Sequence, residues 1–332
     1  MKIIKIIFFI ILISLNNIKY VFAEDFDSWV ISFKNYAIEQ GISKKTLDKT
    51  MSKVKFLPKV IKYDRYQPEF YEDTKTYVDK RTSNEKLKKG KNLFISNSHL
   101  ILKVETEFNV EKELLLSLMG IETNFGKYLG KMDILSSLAT LSFDKRRSEF
   151  FTKELIIILK LIDSGIVDSD VLYGSWAGAF GNFQFMPSTI KNYALDYNND
   201  ALIDLKSTKD SFASAANYIN KLGWKKNNPC FYKIKLKDNI PIKYLNTSAK
   251  KIKNKKKFKY FKKYIVNHEN IKINENLIAG IITPDREIVE NSKLLEPAYL
   301  TFDNYELILK WNRSLRFALA VCTLKDKFTN EL

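Results

Sequence analysis

Histidine is scarce in this sequence, which has only His99 and His268 among 332 residues. Neither lies at ligand spacing from a second histidine or a cysteine, which argues against a zinc site. The same scarcity argues against a serine or cysteine nucleophile with a histidine base. The chain also lacks the Gly-Lys-Ser/Thr ending of a phosphate-binding loop. We therefore expect no cofactor and no nucleotide partner.

Cysteine is equally scarce, with only Cys230 and Cys322. An exported protein folds in a compartment that permits a disulfide, and the even count favours pairing. The alternative is that Cys322, which falls within a strong helical pattern, is a small buried apolar residue. The sequence leaves both possibilities open.

Long apolar runs are absent apart from the one between Ile6 and Leu15, which is shorter than the about 20 residues of a spanning helix. Lys2 and Lys5 precede this run, and Ala23 offers a small residue for cleavage. This pattern predicts a signal peptide over residues 1–23. We expect an exported, periplasmic protein that is soluble after signal cleavage.

Acidic residues are outnumbered, since 38 Asp and Glu face 55 Lys and Arg, a formal net charge of +17. Loss of the predicted signal peptide would remove three lysines and no acid, which leaves +14. Such an excess attracts polyanions, and for an exported protein we expect the cell wall rather than nucleic acid. Lysine-rich solubility is the alternative. The lysine-rich segment 250–263, which contains three aromatic residues, is predicted to be a solvated face.

The chain is long enough for one large or two modest domains. Its periodicity is mainly helical up to residue 224, and shifts toward two after residue 231, as in strands. A sequence typical of a capping box, 303–306, predicts a single final helix to about Phe328. The predicted class is α+β, mainly α. The predicted parts are a signal peptide 1–23, an N-terminal helical segment 24–100, a catalytic core 101–230, a β-rich subdomain 231–300 and a C-terminal helix 301–332.

Glu122 lies where an apolar helix ends in a glycine-broken loop, Gly120 to Gly130. Leu115 and Leu118 precede it by seven and four positions, so helical spacing places Glu122 on the core-facing side. We expect the helix to begin near Asn109, as an N-cap, and to end before Gly126. Burial near the negative end of the helix dipole favours the neutral carboxyl, as a general acid requires. An ordinary solvent-facing glutamate is the alternative.

A second informative segment is Gly174-Ser-Trp-Ala-Gly-Ala-Phe-Gly-Asn-Phe-Gln-Phe-Met-Pro-Ser188. Its small residues allow close approach of the backbone. Ser175 and Gln184 are polar groups in an apolar stretch, and such groups need partners when buried. A carboxyl group or a sugar could be that partner.

These two segments, with Leu138 to Phe143, Arg146-Arg147 and the closing Trp311-Asn-Arg-Ser, resemble the lytic murein transglycosylase B family from about Tyr63 onward. The resemblance implies a lysozyme-like helical domain with a small β-rich subdomain. It also implies cleavage of peptidoglycan glycan strands between N-acetylmuramic acid and N-acetylglucosamine, with a 1,6-anhydromuramoyl product.

The resemblance also implies roles for single residues. Glu122 matches the acid and base, Ser175 the hydroxyl that orients it, and Gln184 a cleft residue. The implied substrate-binding residues are Tyr77, Tyr218, Arg146, Arg147, Trp311 and Phe317. The last two stand where tyrosine is usual, so stacking is retained while the hydroxyl is lost.

One carboxylate suffices for this reaction, because the C6 hydroxyl of the sugar replaces an activated water. The alternatives are a hydrolytic muramidase with a second carboxylate, for which Asp133 and Asp144 are candidates, and an inactive wall-binding protein. The resemblance further suggests a calcium loop. Its weak candidate ligands are Asp196, Asn198, Asp200 and Asp204. Ala201 replaces the turn glycine and Ser207 the closing carboxylate of such a loop, so we predict no metal.

Overall fold

The computed structural model describes residues 25–66, 72–286 and 293–332. The predicted signal peptide lies outside these residues. Within them, no helix is long and apolar enough to cross a membrane.

The chain is mainly α-helical, as predicted. Polar N-caps start several helices, since Asp25, Ser43, Asp73 and Ser83 each accept a backbone N–H of the following turn. The helices before Asn109 are Phe26–Glu39, Lys44–Thr50, Pro58–Arg65, Thr74–Arg81, Asn84–Ser96 and Ser98–Phe108. Those that follow are Lys112–Thr123, Ile134–Phe143, Ser148–Asp163, Pro187–Tyr193, Thr208–Lys221, Phe258–Phe261, Asp303–Trp311 and Leu315–Thr329.

The described strands are Met132–Asp133 (β1), Tyr173–Gly174 (β2), Phe231–Ile234 (β3), Leu245–Asn246 (β4), Lys256–Lys257 (β5), Ile278–Ile282 (β6) and Ala298–Thr301 (β7). The predicted β-rich region, which contains β3 to β7, is confirmed. Its sheet has the order β3-β7-β6-β4, with β5 also paired to β6. Only β4 and β6 are parallel within it, and the other pairs are antiparallel. A separate short pair, β1 with β2, joins Met132 to Gly174.

Two hydrophobic clusters hold these parts together. The larger fills the helical unit and includes the fully buried rings of Phe185, Phe212 and Tyr305. The smaller lies under the sheet and includes Phe258 and Phe261. Burial of each such side chain stabilises the fold by about 1.5–3 kcal/mol. These two rings come from the lysine-rich segment, so they are core residues and offer no stacking surface.

The helix that carries Glu122 begins later than predicted. Asn109 has a left-handed φ of 53° and ends the preceding helix instead of capping the next one. The Glu122 helix starts at Lys112, and Glu111 occupies its N-cap position without a capping side-chain bond. The Glu111 carboxylate instead accepts hydrogen bonds from the Trp224 indole and a backbone N–H.

The prediction of one final helix is wrong, because the helix ends at Trp311 and a second helix begins at Leu315. Asn312 is extended, and Ser314 caps a new helix by accepting the Phe317 N–H at 3.2 Å. The predicted capping box is not formed either, because Phe302 is the N-cap and makes no side-chain bond, while Asp303 and Glu306 pair with Lys225 and Lys255. The break places Trp311 at a helix end, where its side chain reaches the site.

Cys230 and Cys322 form a disulfide that ties the start of β3 to the last helix. This helix packs against the Glu122 helix. A buried ion pair of Arg316 with Asp285, at 2.7 Å, also fastens it to the end of the sheet region. The helical unit and the sheet are therefore joined at two points on the helix that supports the site.

Candidate active site

Glu122 lies in the last turn of its helix, which ends as the sequence predicted. Asn124, Phe125 and Gly126 have φ values of 51°, 60° and 80°, and a run of left-handed residues cannot continue an α-helix. The Thr123 hydroxyl fixes the end by donating to the Asn182 carbonyl at 2.8 Å. Glu122 itself is half-buried, although Leu115 and Leu118 are fully buried. It therefore lies at the rim of the core instead of within it.

The indole of Trp311 reaches the Glu122 carboxyl. Its Nε1–H donates to Oε1 of Glu122 at 2.9 Å. The tyrosine that the resemblance leads us to expect at this position would have a hydroxyl able to form a hydrogen bond. The indole N–H supplies one instead.

Trp311 belongs to a stack of three aromatic rings. Tyr218 stacks on Trp311 with ring centroids 5.1 Å apart, and Tyr193 stacks on Tyr218 at 4.3 Å. Phe185 contacts the indole edge to face at 5.4 Å. Burial raises the pKa of Tyr218, and the nearby Tyr193 acts in the same direction, so its phenol stays neutral. Tyr193 was not identified from the sequence, where a single tyrosine near a helix end gives no signal.

Ser175 lies in a tight turn directly after β2, which pairs with β1 in the segment that follows the Glu122 loop. Its hydroxyl accepts the Ala179 N–H at 3.0 Å. Gly130, in the loop after Glu122, approaches this segment so closely that a Cβ there would lie 2.0 Å from the Gly174 carbonyl oxygen. The small residues thus allow the two predicted segments to meet.

Gln184 connects the same two segments. Its side-chain amide donates to the carbonyls of Leu129, at 3.2 Å, and Gly181, at 3.0 Å. Its own φ is 50°, a left-handed value that is rare for glutamine. The described contacts of Gln184 hold the loops in place.

A cavity of about 400 Å³ opens at Glu122. One side of it, which we call the lysine wall, consists of Lys80, Lys86, Lys89 and Lys127. Lys86 donates to the Gly120 carbonyl at 2.6 Å, and burial lowers its pKa to about 8. The lysine wall could not be identified from the sequence, because its residues lie on separate elements in a chain rich in lysine.

Glu85 is the other acid among the lining residues, and it is paired with Lys89 at 2.6 Å. The two acids considered for a hydrolytic reaction do not line this cavity. Asp133 caps a helix by accepting the Ser136 N–H, and Asp144 pairs with Arg65 at 2.9 Å.

Arg146 and Arg147 lie at a second cavity, of about 450 Å³. Both guanidinium groups contact Asp64, whose side chain is buried in spite of its charge. We call this the arginine cavity. It is also lined by Trp176, beside Ser175, and by Arg313, two residues after Trp311. The predicted pair of arginines is thus fixed close to the site.

Two of the predicted substrate-binding residues lie in the core. Tyr77 is 5% exposed, and the guanidinium of Arg81 covers its ring at 3.5 Å from the centroid. Phe317 is 4% exposed and belongs to the main hydrophobic cluster. For Phe317 the helix break explains this burial. Trp311 ends one helix and Phe317 lies in the next, so the two side chains do not share a face.

The candidate calcium loop uses its oxygens internally. Asp196 accepts the backbone N–H groups of Asp200 and Ala201, and Ser207 accepts that of Lys209 as a helix cap. Across the described ranges, no group of three or more His, Cys, Asp or Glu side chains is arranged to hold a metal ion. The loop lacks the closing bidentate carboxylate of a calcium site, because Ser207 stands at that position.

The chain is similar to a known lytic transglycosylase over part of its length. Membrane-bound lytic murein transglycosylase B of Escherichia coli K12 is 42% identical over 120 residues, which are 36% of this chain. The match spans 33% of the length of that relative.

Solved structures share the fold over nearly the whole chain. Pseudomonas aeruginosa SltB3, determined in complex with NAG-anhNAM-pentapeptide, is 28% identical, with 92% of this chain and 80% of that chain covered and a TM-score of 0.81. The Escherichia coli lytic transglycosylase Slt35, determined in complex with calcium, is 25% identical, with 91% and 92% covered and a TM-score of 0.75. The predicted lysozyme-like fold is confirmed.

The sequence also matches a family whose members share the transglycosylase SLT domain, over residues 25–326. This range contains all the motifs on which the resemblance was based. The chain belongs to the transglycosylase SLT domain family.

Proposed function

We propose that this protein is a lytic transglycosylase of peptidoglycan. It cleaves the β-1,4 bond between N-acetylmuramic acid and N-acetylglucosamine and leaves a 1,6-anhydromuramoyl end. The observation that carries the proposal is the setting of Glu122, a half-buried carboxyl that lines an open cavity and accepts an indole N–H. Glu85, the other acid lining that cavity, is paired with Lys89.

The reaction needs one group that gives a proton and takes one back. Glu122 protonates the glycosidic oxygen, the bond from that oxygen to C1 breaks, and the sugar becomes oxocarbenium-like. The Glu122 carboxylate then takes the proton of the C6 hydroxyl while the C6 oxygen bonds to C1. Because the nucleophile belongs to the substrate, a high effective concentration replaces an activated water.

The other site residues have supporting roles in this proposal. Trp311, at the end of the ring stack, is an aromatic ring suited to the apolar face of a sugar, and Tyr218 packs behind it. Ser175 has a hydroxyl proton to donate, since its oxygen is the acceptor in the bond with Ala179. Gln184 holds the loop after Glu122 against the segment that carries Ser175. We assign no sugar contact to Tyr77 or Phe317, because both are buried.

The charge of the chain supports the same substrate. The net charge of +14 expected after signal cleavage would concentrate the protein at an anionic wall polymer whose peptides carry carboxylates. Export to the periplasm belongs to the proposal, as does peptidoglycan as partner in place of nucleic acid or nucleotides. Partners among wall synthesis proteins are not assigned.

Digestion of purified sacculi tests the function. Muropeptides should be lighter by one water than hydrolytic products and should resist borohydride reduction, since an anhydro end has no free aldehyde. Glu122→Gln keeps the shape but loses the transferable proton, so activity should fall by about 10²–10⁴-fold. Reducible products of full mass would identify a muramidase instead. Binding to sacculi without any release by the wild type would identify an inactive wall-binding protein.

A further inference from the structure

The contact between Trp311 and Glu122 restricts where the carboxyl can hold its proton. An indole N–H is only a donor, so the Glu122 oxygen that faces it must be an acceptor, and the carbonyl oxygen of a neutral carboxyl is a better acceptor than its O–H oxygen. That oxygen is Oε1, at 2.9 Å. A tyrosine at this position could donate or accept, and would leave either oxygen able to carry the proton.

The packing of Trp311 keeps the indole in this orientation. Tyr218 covers one face at an interplanar angle of 25°, and Phe185 meets the ring at 68°. Tyr218 is itself stacked on Tyr193. The extended backbone at Asn312 ends the helix directly after Trp311. The indole is therefore held by ring contacts and not by a continuing helix.

We propose that Trp311 is a positioning residue that holds Oε1 of Glu122 as an acceptor and thereby confines the transferable proton to Oε2. This inference rests on the proposed role of Glu122. In the first step the proton leaves Oε2 for the glycosidic oxygen, and in the second step Oε2 takes the proton of the C6 hydroxyl. The same oxygen serves both steps, so the carboxyl need not rotate between them.

Kinetics of three variants test the proposal. Trp311→Phe keeps a ring but removes the N–H, and kcat should fall by about 10- to 100-fold, the range of a hydrogen bond to a charged group, while KM changes by less than about threefold. Trp311→Tyr restores a donor and should recover part of the lost kcat. Trp29→Phe makes the same change in the N-terminal helix and should behave as wild type. A Trp311→Phe enzyme with wild-type kcat would overturn the proposal.

A spectroscopic test needs no activity. The indole N–H resonance of Trp311, assigned by its absence in Trp311→Phe, should shift with pH as Glu122 ionises, and Glu122→Gln should abolish that shift. Trp224, whose indole donates to Glu111, is the internal control and should not respond to Glu122→Gln. A Trp311 resonance that ignores pH in the wild type would refute the contact. A responsive resonance in a protein that releases no product would refute the proposed function alone.

Discussion

The arginine cavity and the lysine wall are both basic, but their cations are held differently. Arg146 and Arg147 converge on the buried carboxylate of Asp64 and follow each other in the chain. The lysine wall comes from three separate segments. Lys80 and Lys89 form ion pairs with glutamates at 2.7 and 2.6 Å.

The difference follows from the chemistry of the two side chains. A guanidinium is planar and can bond to a buried carboxylate while its remaining N–H groups point to a ligand. A lysine ammonium is a strongly hydrated point charge on a flexible stem. We therefore expect the arginine cavity to fix the orientation of a ligand and the lysine wall to attract anionic groups without fixing them.

The disulfide gives the largest expected change. Cys230 and Cys322 are 92 residues apart, and a loop of that order constrains the unfolded chain strongly. The double variant Cys230→Ala/Cys322→Ala should lose about 2–5 kcal/mol of unfolding free energy in urea titrations. The last helix packs against the two helices that carry Lys80, Lys86 and Lys89, so this side should loosen first.

Thiol titration checks the premise of that prediction. Unfolded but unreduced protein purified from a periplasm should show no reactive thiol. Two reactive thiols would remove the basis for the stability loss and leave both cysteines as buried apolar residues.

Asp64→Asn tests whether the ion pairs of the arginine cavity stabilise the fold more than an exposed ion pair does. Loss of one partner of a buried ion pair costs about 3–5 kcal/mol, and we expect about 2–3 here because both arginines are partly exposed. Chemical denaturation measures this change. Asp48→Asn breaks the exposed pair with Lys34 and should cost at most about 1 kcal/mol. Equal losses in the two variants would contradict the comparison.

Local patterns predicted much of this molecule. Helical spacing and the run of Asn124 to Gly126 were sufficient to place the end of the Glu122 helix, because both signals are local. The break at Asn312 was missed, since the apolar pattern continues across it and only the cap at Ser314 marks it. The bond from Trp311 to Glu122 depends on that break, and it joins residues 189 positions apart. The lysine wall is likewise a tertiary feature.

Lys86 should make stability depend on pH. Its pKa is lowered to about 8 from the ordinary 10.5 by burial, so between these values the unfolded chain binds more protons than the folded one. Unfolding free energy therefore rises with pH across this window, by an amount on the order of 1–2 kcal/mol. Lys86→Met should lose this rise, whereas Lys88→Met, exposed on the same helix, should keep it. Denaturation at pH 7.5 and 10.5 measures the difference, and parallel curves for the wild type and Lys86→Met would rule it out.

The smallest expected effect concerns substrate attraction by the lysine wall. Replacement of three of its lysines by glutamine should raise KM for glycan strands with peptide stems by about 3- to 10-fold at low salt, and by less at high salt, because exposed charges are screened. Strands stripped of peptides should show little change, since they lack the stem carboxylates. A matched control removes the same charge from the lysine-rich segment and should leave KM unchanged. The two triple variants are Lys80→Gln/Lys89→Gln/Lys127→Gln and Lys250→Gln/Lys251→Gln/Lys259→Gln. Equal KM increases in both would show that only net charge matters.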